Sequence, residues 1–267
     1  MNDKVIISVA PVSAASTNVI PDEVAEAALA SAENGAAIVH LHVRELNGQL
    51  TEDVQHFQKT IDLIRHQSSM IIQASTGGIS ELSIEQRCAP LNCPGVEMAS
   101  LNVGSVNLGG SVYINSPQDV SWCAEQIVSK NITPEFEVFE LGMINNIIEM
   151  SKNITFRNPM MLNIVLGHQG TTPADIKTLQ AMHQFIPEGA LWGITHFGRT
   201  SFDVISAAIA MGANEVRIGF EDSNILSHNE PAANNAQLVK KVSSIINSMD
   251  KEVATPEEVR RMLNIKQ

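Results

Sequence analysis

Short apolar runs alternate with amphipathic stretches along most of the chain. Runs of roughly four to eight apolar residues are typical of buried strands, whereas apolar residues that recur every three or four positions predict helices. Eight strands are predicted in this way, over residues 5–11, 36–43, 70–76, 96–101, 135–141, 160–167, 191–197 and 215–221. Helices are predicted between them over residues 22–33, 52–65, 119–129, 174–184, 201–211 and 234–248, with shorter ones near 83–87 and 144–151.

This alternation of strands and helices favours a parallel sheet, and eight repeats predict its closure into a (β/α)8 barrel, the TIM barrel of the α/β class. The alternative is an open, doubly wound sheet. Against it, the first predicted strand is not followed by the Gly-x-Gly-x-x-Gly turn of dinucleotide-binding folds. The sequence also lacks linkers and low-complexity segments. We therefore predict one barrel domain over residues 1–267.

Polar residues cluster where the predicted strands end. In a barrel these ends form one rim, which is where enzymes of this architecture place their catalytic residues. Ordinary turns have a similar composition, but the recurrence of these polar clusters at successive strand ends favours a functional rim. The clusters are Ser75-Thr76-Gly77-Gly78, Asn102-Val103-Gly104-Ser105, residues 167–172, His196-Phe197-Gly198-Arg199 and Glu221-Asp222-Ser223-Asn224.

The second predicted strand contains two histidines, His40 and His42, among aliphatic residues. Because side chains alternate across a strand, both imidazoles must project from the same face. Two adjacent neutral imidazoles are good ligands for a divalent metal, zinc above all. The other interpretation is a pair of core histidines that hydrogen-bond to the backbone, and the pair alone does not decide between the two.

The last predicted strand carries charge on the face that we expect to point at the barrel axis. Its apolar residues alternate with Arg217, Gly219 and Glu221, and buried charges are unfavourable unless they are paired or bind an ion. The second and eighth strands both flank the first in a closed barrel, so Glu221 can join the two histidines in a His2Glu zinc site with an open position. Asp222 is the candidate general base, tuned by Arg217. The alternatives are an Arg217–Glu221 core ion pair and a helix N-cap role for Asp222.

Composition narrows the range of partners. The chain has 267 residues, of which 44% are hydrophobic, so it can build a sizeable core. Its formal net charge of −12 argues against binding to nucleic acid or an anionic membrane. No apolar run of about 18 residues predicts a membrane-spanning helix, and the first residues lack the features of a signal peptide. Three cysteines without a metal-binding spacing are typical of reduced thiols, so we expect a cytoplasmic protein.

Several of these segments occur together in one known family. They are Val39-His40-Leu41-His42-Val43-Arg44, Ser75-Thr76-Gly77-Gly78, Ser100-Leu101-Asn102-Val103-Gly104-Ser105, Glu135-Phe136-Glu137-Val138-Phe139-Glu140, Val216-Arg217-Ile218-Gly219-Phe220-Glu221-Asp222 and Val253-Ala254-Thr255-Pro256-Glu257-Glu258-Val259. Together they span nearly the whole chain, and they resemble the β-keto acid cleavage enzymes of the 3-keto-5-aminohexanoate cleavage type.

The resemblance implies a zinc-dependent barrel that converts a β-keto acid and acetyl-CoA into acetoacetate and a new acyl-CoA. By the family's pattern, His40, His42 and Glu221 hold one zinc ion per chain. Arg217 and Asp222 match the arginine–aspartate pair that abstracts a proton.

Further positions are implied for binding and support. Glu137 matches a residue that supports the base, although Glu140 is an alternative. The loops that bind the substrate carboxylate are matched by Ser75 or Thr76, with Gly77, and by Asn102 or Ser105. For the CoA phosphates we expect a contact from Arg199, after the seventh strand.

One departure from the family bears on the substrate. Family members that act on an amino-substituted keto acid share a glutamate after the first strand. At the position that resembles it, this chain has Ala15. A cationic tail would lose its counter-charge there, so we predict a β-keto acid with a neutral or apolar tail. The resemblance also suggests a homo-oligomer, a dimer or a tetramer.

Two other functions stay open at the level of the sequence. One is a zinc-dependent hydrolase of the barrel type, which would use water and ignore acetyl-CoA. The other is a non-catalytic barrel that binds a metal or a ligand.

Overall fold

Eight parallel strands form a closed barrel in the computed structural model, which describes residues 3–228 and 230–266. The first strand, β1, pairs with both the second and the eighth, so the sheet closes on itself. This confirms the predicted (β/α)8 barrel. In chain order the barrel strands are β1 (Lys4–Val9), β2 (Ile38–Leu41), β3 (Ile71–Ser75), β4 (Val96–Asn102), β5 (Thr133–Val138), β6 (Met161–Leu166), β7 (Leu191–His196) and β8 (Glu215–Ile218).

Helices connect the strands and cover the outside of the barrel. Their sequence signals are local: α4, for example, begins at Pro117 behind a capping box made by Ser116 and Asp119. The helices are α1 (Pro21–Ala32), α2 (Gln55–Arg65), α3 (Ile84–Arg87), α4 (Pro117–Ser129), α5 (Leu141–Met150), α6 (Ile176–His183), α7 (Asp203–Ala210), α8 (Asn235–Ser248) and α9 (Pro256–Met262). The predicted helices are confirmed with shifted ends, and α9 is an addition.

Strands β5 and β8 end three residues earlier than predicted, which is the largest difference among the eight strands. Strand β5 stops at Val138, and Glu140 is already the N-cap of α5. Strand β8 stops at Ile218, because Gly219 has a φ of +152° and passes close to β1. A Cβ at Gly219 would lie 2.1 Å from the carbonyl oxygen of Ala10, so only glycine fits there. As a result, Glu221 and Asp222 lie in a loop and not in the strand.

The barrel interior is apolar at one end and polar at the other. The apolar end, which we call the floor, is closed by the last segment of the chain, including α9. At the opposite end the strands carry buried polar residues, which include His40, Asn102, Glu137 and Arg217. Further buried polar residues of the strands are Gln73, Glu135, Asn163 and Glu215. The side chains that pack together in the floor are Ile6, Ile38, Ile71, Met98 and Met161 from the strands, with Ala254, Val259, Leu263 and Ile265 from the end of the chain.

Short elements decorate this frame. An antiparallel hairpin of Val106–Leu108 and Ser111–Tyr113 follows β4, and a second pairs Ile225–Ser227 with Glu230–Pro231 after β8. The two-residue strand Glu252–Val253 pairs with β1 beside the floor. Within the described ranges 3–228 and 230–266, every helix is too short or too polar to cross a lipid bilayer.

Candidate active site

Three side chains converge at the polar end of the barrel. His40 lies on β2, His42 follows that strand, and Glu221 lies in the loop after β8. The distance to Glu221 Oε1 is 3.4 Å from His42 Nε2 and 3.9 Å from His40 Nε2. One ligand atom of each residue lies within 4.8 Å of the other two. Two imidazole nitrogens and one carboxylate oxygen are the donor set of many catalytic zinc sites, so the three residues fit a divalent metal.

The fold brings these residues together because β1 is short. Its last residue, Val9, pairs with Val39 on one side and Ile218 on the other. His40 and Glu221 come later in their segments than these partners, so they meet beyond the end of β1. The spacing of His40 and His42 turns both rings to one side, and their ring centres are 5.2 Å apart.

The ionisation states suit metal binding. Burial and the charge of Arg217 lower the pKa of His40 to about 3, so its imidazole is neutral at pH 7. Burial would raise the pKa of Glu221, but its interactions with His42, His40 and Arg217 outweigh burial and lower that pKa far below its ordinary value. Neutral imidazole and ionised carboxylate are the forms that ligate a metal.

Arg217 links two carboxylates to this cluster. Its Nη1 donates to Glu137 Oε1 at 2.7 Å, and its Nη2 donates to Asp222 Oδ1 at 3.2 Å. The same Nη2 lies 3.7 Å from Glu221 Oε1. The Arg217–Glu221 ion pair that we considered as an alternative is therefore present together with the histidine contacts.

Asp222 has one occupied and one free oxygen. Its Oδ2 is buried and makes no hydrogen bond to any described residue. Burial raises the pKa of Asp222 to about 6, against the opposing charge of Arg217. The N-cap alternative is not supported, because the next helix, α8, is capped by the side chain of Asn234. A free carboxylate oxygen beside a cavity can accept a proton from a bound molecule.

The two candidates for support of the base differ in position. Glu137 is 7% exposed and bonds Arg217, and burial raises its pKa. Glu140 is exposed, and its Oε2 accepts a hydrogen bond from Thr172. The geometry therefore favours Glu137 over Glu140.

A cavity of about 890 Å³ opens above these residues. Its size lies within the usual range for small-molecule sites, about 300–1,000 Å³. Phe197 in its wall stacks on His168 with ring centres 3.8 Å apart, and the ring centre of Phe139 lies 5.8 Å from that of the same histidine. The walls around the polar centre are mainly apolar or uncharged and include Ala14, Leu50, Gly78, Ile79, Leu82, Leu108, Tyr113, Phe139 and Phe197.

The predicted substrate-binding loops separate into two groups. Ser75 and Gly77 line the cavity. Thr76 donates its hydroxyl to the carbonyl of Ser100, which commits it to the neighbouring strand. Asn102 and Ser105 also lie outside the cavity wall.

Asn102 and Ser105 instead bond to the backbone of their own segment. Asn102 accepts from the amide of Gly104, and its Nδ2 is buried without a partner among the described residues. Ser105 is exposed and bonds the backbone of Asn115. The position of Ser75 and Gly77 thus favours them over the other three as contacts of a bound molecule.

The prediction that Arg199 contacts CoA phosphates is not supported by its position. The residue is only 1% exposed, and its Nη1 donates to the carbonyl of Ile225 at 2.6 Å. Its guanidinium packs over the ring of Phe202 at 4.0 Å. Burial lowers the pKa of Arg199 to about 10. The arginine therefore anchors the loop after β8.

Three residues of the site have no place in the sequence prediction. Gln73 bonds His40, Arg44 lines the cavity beside Glu221, and Tyr113 reaches the cavity from the first hairpin. A polar residue in the middle of an apolar strand is a signal for Gln73, because that pattern marks a buried polar group with a partner. Tyr113 has no such signal, because the sequence does not predict the hairpin that carries it.

The chain is similar to proteins of known activity. A model of the family described as beta-keto acid cleavage enzyme matches residues 4–265. A 3-keto-5-aminohexanoate cleavage enzyme of Fusobacterium nucleatum is 36% identical over 247 residues, which cover 92% of this chain and 89% of that protein. A 3,5-dioxohexanoate:acetyl-CoA acetone transferase of Paraburkholderia graminis is 28% identical, and the match covers 98% of this chain and 96% of that protein. The solved binary complex of ObcA with oxaloacetate matches with a TM-score of 0.78 at 16% identity, over 93% of this chain and 67% of that chain, which shows the shared fold.

Proposed function

The chain belongs to the β-keto acid cleavage enzyme family, and from this premise we propose that it is a zinc-dependent enzyme that converts a β-keto acid and acetyl-CoA into acetoacetate and a new acyl-CoA. The observation that carries the proposal is the convergence of His40, His42 and Glu221 beside the Asp222–Arg217 pair in one cavity. These three residues would hold the metal.

The first step is a proton transfer to Asp222. Its free Oδ2 accepts a proton from the carbon between the keto and carboxylate groups of the substrate. Arg217 holds the other oxygen of Asp222, and Glu137 holds Arg217, so the base keeps its orientation while its charge changes. When bound, a zinc ion supplies Lewis-acid stabilisation of the negative charge that develops on the substrate.

The carbon chemistry then needs only the two substrates. The carbanion attacks the carbonyl carbon of acetyl-CoA, and the CoA thiolate leaves with the electron pair of the carbon–sulfur bond. The thiolate adds to the original keto carbon, and the bond from that carbon to the former α-carbon breaks. The electron pair passes to the α-carbon, which regains a proton from Asp222. The products are acetoacetate and an acyl-CoA that carries the substrate's tail.

We further propose that this tail is neutral or apolar. The charged side chains close to the metal cluster pair with one another: Arg217 bonds Glu137 and Asp222, and Glu221 lies against the two histidines. Ala14 lines the cavity from the loop after β1, whereas Ala15, on which the sequence prediction rests, lies outside the cavity wall. A cationic tail would therefore have only Glu81, an exposed residue of the cavity wall, to pair with.

The experiment that tests the proposal is a coupled measurement of product and cofactor dependence. Purified protein loaded with zinc is incubated with β-keto acids in the presence and absence of acetyl-CoA, and acetoacetate is measured. We expect acetoacetate only when both acetyl-CoA and zinc are present. Consumption of the keto acid without acetyl-CoA would instead support the hydrolase alternative. Zinc binding without turnover of any keto acid would support a non-catalytic role.

A homo-oligomeric state and a cytoplasmic location stay predictions. Size-exclusion chromatography with light scattering would measure the first, and cell fractionation the second.

A further inference from the structure

A chain of hydrogen bonds runs from His40 across the interior of the barrel. His40 Nδ1 lies 2.6 Å from Gln73 Oε1, and Gln73 Nε2 donates to Glu135 Oε2 at 2.9 Å. Gln73 is on β3 and Glu135 on β5, and both are 0% exposed. The chain lies inside the barrel and takes no part in the proposed proton transfer.

The chemistry of each group fixes the direction of these bonds. A carboxylate can only accept hydrogen bonds, so the amide NH2 of Gln73 must face Glu135. The amide oxygen of Gln73 then faces His40, and it too can only accept. His40 Nδ1 must therefore carry the proton of this bond, and Nε2, on the side of Glu221 and 3.9 Å from it, is the nitrogen left to ligate a metal.

Glu135 is itself fixed by neighbours. Its other oxygen, Oε1, accepts from Asn163 Nδ2 at 3.1 Å. The hydroxyl of Thr195 donates to Asn163 Oδ1 at 2.8 Å, and a reversed amide of Asn163 would set its oxygen against the carboxylate of Glu135 and lose that bond. Both oxygens of Glu135 thus accept N–H groups, as an ionised carboxylate does.

A second carboxyl group, Glu215 on β8, supports the same arrangement. It is 0% exposed and lies against Glu135 and Ser8. Burial and the charge of Glu135 raise the pKa of Glu215 well above its ordinary value. A raised pKa favours the protonated form of Glu215, which leaves Glu135 as the acceptor.

We propose that Glu135 and Gln73 are positioning residues that hold His40 in the tautomer with Nδ1 protonated and Nε2 free for a metal. Glu135 sets the direction of the Gln73 amide, and that amide sets the tautomer of the ring. This inference rests on the metal site of the proposed function. In other metal sites, loss of such a supporting hydrogen bond lowers metal affinity by about 10–100-fold.

The test combines NMR of the zinc-free protein with zinc affinity. Long-range proton–nitrogen correlation spectra distinguish the two tautomers of a neutral imidazole, and zinc affinity is measured by competition with a chromophoric chelator. We expect His40 of the unaltered protein to be protonated at Nδ1 alone. In Glu135→Gln, whose amide can accept or donate, we expect a mixture of tautomers and a loss of at least about tenfold in zinc affinity.

Controls separate this inference from the proposed function. Glu125→Gln makes the same chemical change at an exposed position on α4 and should match the unaltered protein in both measurements. If Glu135→Gln does not fold, Gln73→Leu tests the same bond to His40. A His40 ring protonated at Nε2, or an unchanged tautomer and zinc affinity in the folded variants, overturns the inference. If the unaltered protein has the expected tautomer but binds no zinc, the proposed function is wrong. The effect of Glu135 on the tautomer is then judged from the NMR spectra alone.

Discussion

At the scale of single residues, the bonds of Arg217 decide where a proton can go. The guanidinium occupies Asp222 Oδ1, while Asp222 Oδ2 stays without a partner among the described residues. Asparagine has nearly the same size as aspartate but cannot accept a proton at this position. The exchange therefore removes the base and leaves the three metal-ligating residues unchanged.

We expect Asp222→Asn to retain zinc and to lose turnover by at least about 100-fold, the usual contribution of a positioned general base. Metal analysis measures the first quantity, and the formation of acetoacetate with saturating acetyl-CoA measures the second. His42→Ala is the matched control, since it should lose zinc as well as turnover. Normal turnover in zinc-loaded Asp222→Asn would exclude Asp222 as the base.

Glu215 predicts a dependence of stability on pH. Its pKa is raised in the folded protein by burial and by Glu135, against the opposing effects of Ser8 and Arg217. A raised folded pKa gives a stabilising contribution that is complete below the unfolded pKa, near 4.5, and that is lost as the pH rises through the folded pKa. Glutamine does not titrate, so a Glu215→Gln variant escapes this loss.

We therefore expect the melting temperature of Glu215→Gln to exceed that of the unaltered protein at pH 8, with a difference that narrows toward pH 5. Thermal unfolding of the zinc-free proteins at several pH values measures it. A gain of about 1 kcal/mol corresponds to roughly 2–4 °C for a protein near this size. A difference that is the same at every pH would contradict the assignment of the buried proton to Glu215.

At the scale of elements, the loop after β3 packs its backbone against the first hairpin. A Cβ at Gly77 would lie 2.1 Å from the hydroxyl oxygen of Tyr113 and 3.2 Å from its ring carbon Cζ. Most of this conflict disappears when the hydroxyl is removed. The contact joins two loops of the cavity wall, so it affects both stability and the shape of the site.

We expect Gly77→Ala to destabilise the protein by about 1–3 kcal/mol, the usual effect of overpacking. In a Tyr113→Phe background the same change should be clearly smaller. Urea unfolding of the two single variants and the double variant gives the coupling energy between the positions. Strictly additive effects would show that the hydroxyl of Tyr113 is not what Gly77 accommodates.

The loop after β1 carries the prediction about the substrate's tail. Ala14 in this loop lines the cavity and offers no charge to a bound molecule. We expect kcat/KM to be higher for a β-keto acid with a neutral tail than for the matching compound with an amine. Paired kinetics on the two compounds measure this, and a clear preference for the amine would refute the neutral tail.

Regular elements are the part of the fold and site that the sequence predicts well. The alternation of side chains in a strand fixes the direction of His40, and the same parity turns Arg217 inward from β8. Parity stops at the end of a strand, where the backbone turns. Ser75, the last residue of β3, still follows this parity and lies on the cavity side with Gln73, whereas Thr76, just after the strand, bonds the neighbouring strand.

The remaining differences arise from short or long-range features. The three-residue strands of the first hairpin are too short for a periodic pattern, so Tyr113 could not be placed in the site. Arg199 ends a polar cluster that has the composition of a loop exposed to solvent. It is nevertheless buried by its contacts with Ser223 and Ile225, which lie more than twenty residues away in the sequence. Such contacts depend on the assembled loops and have no local signal in the sequence.

At the scale of the whole molecule, the end of the chain closes the barrel. Leu263 is 0% exposed and packs with Val259 against interior residues of the strands. Because β1 pairs with Glu252–Val253 just before this segment, the two ends of the described chain are tied together at the floor. The stability of the barrel should therefore depend on a few residues at the end of the sequence.

We expect Leu263→Ala to lower the free energy of unfolding by about 2–5 kcal/mol, as is usual when a buried leucine is truncated. Denaturant unfolding followed by circular dichroism measures the change. Arg261→Ala, on the exposed side of α9 two residues before Leu263, is the control and should alter stability by less than about 0.5 kcal/mol. A similar effect of both substitutions would mean that the helix does not act through its packing in the floor.

The sealed floor also has a kinetic consequence. Packed side chains block passage through one end of the barrel, so a molecule reaches the polar centre from the opposite end. Acetyl-CoA is much larger than the keto acid, so acetyl-CoA bound at this entrance would trap a keto acid that is already inside. On the proposed function, the two reactants therefore load in a compulsory sequence, with the keto acid first and acetyl-CoA second.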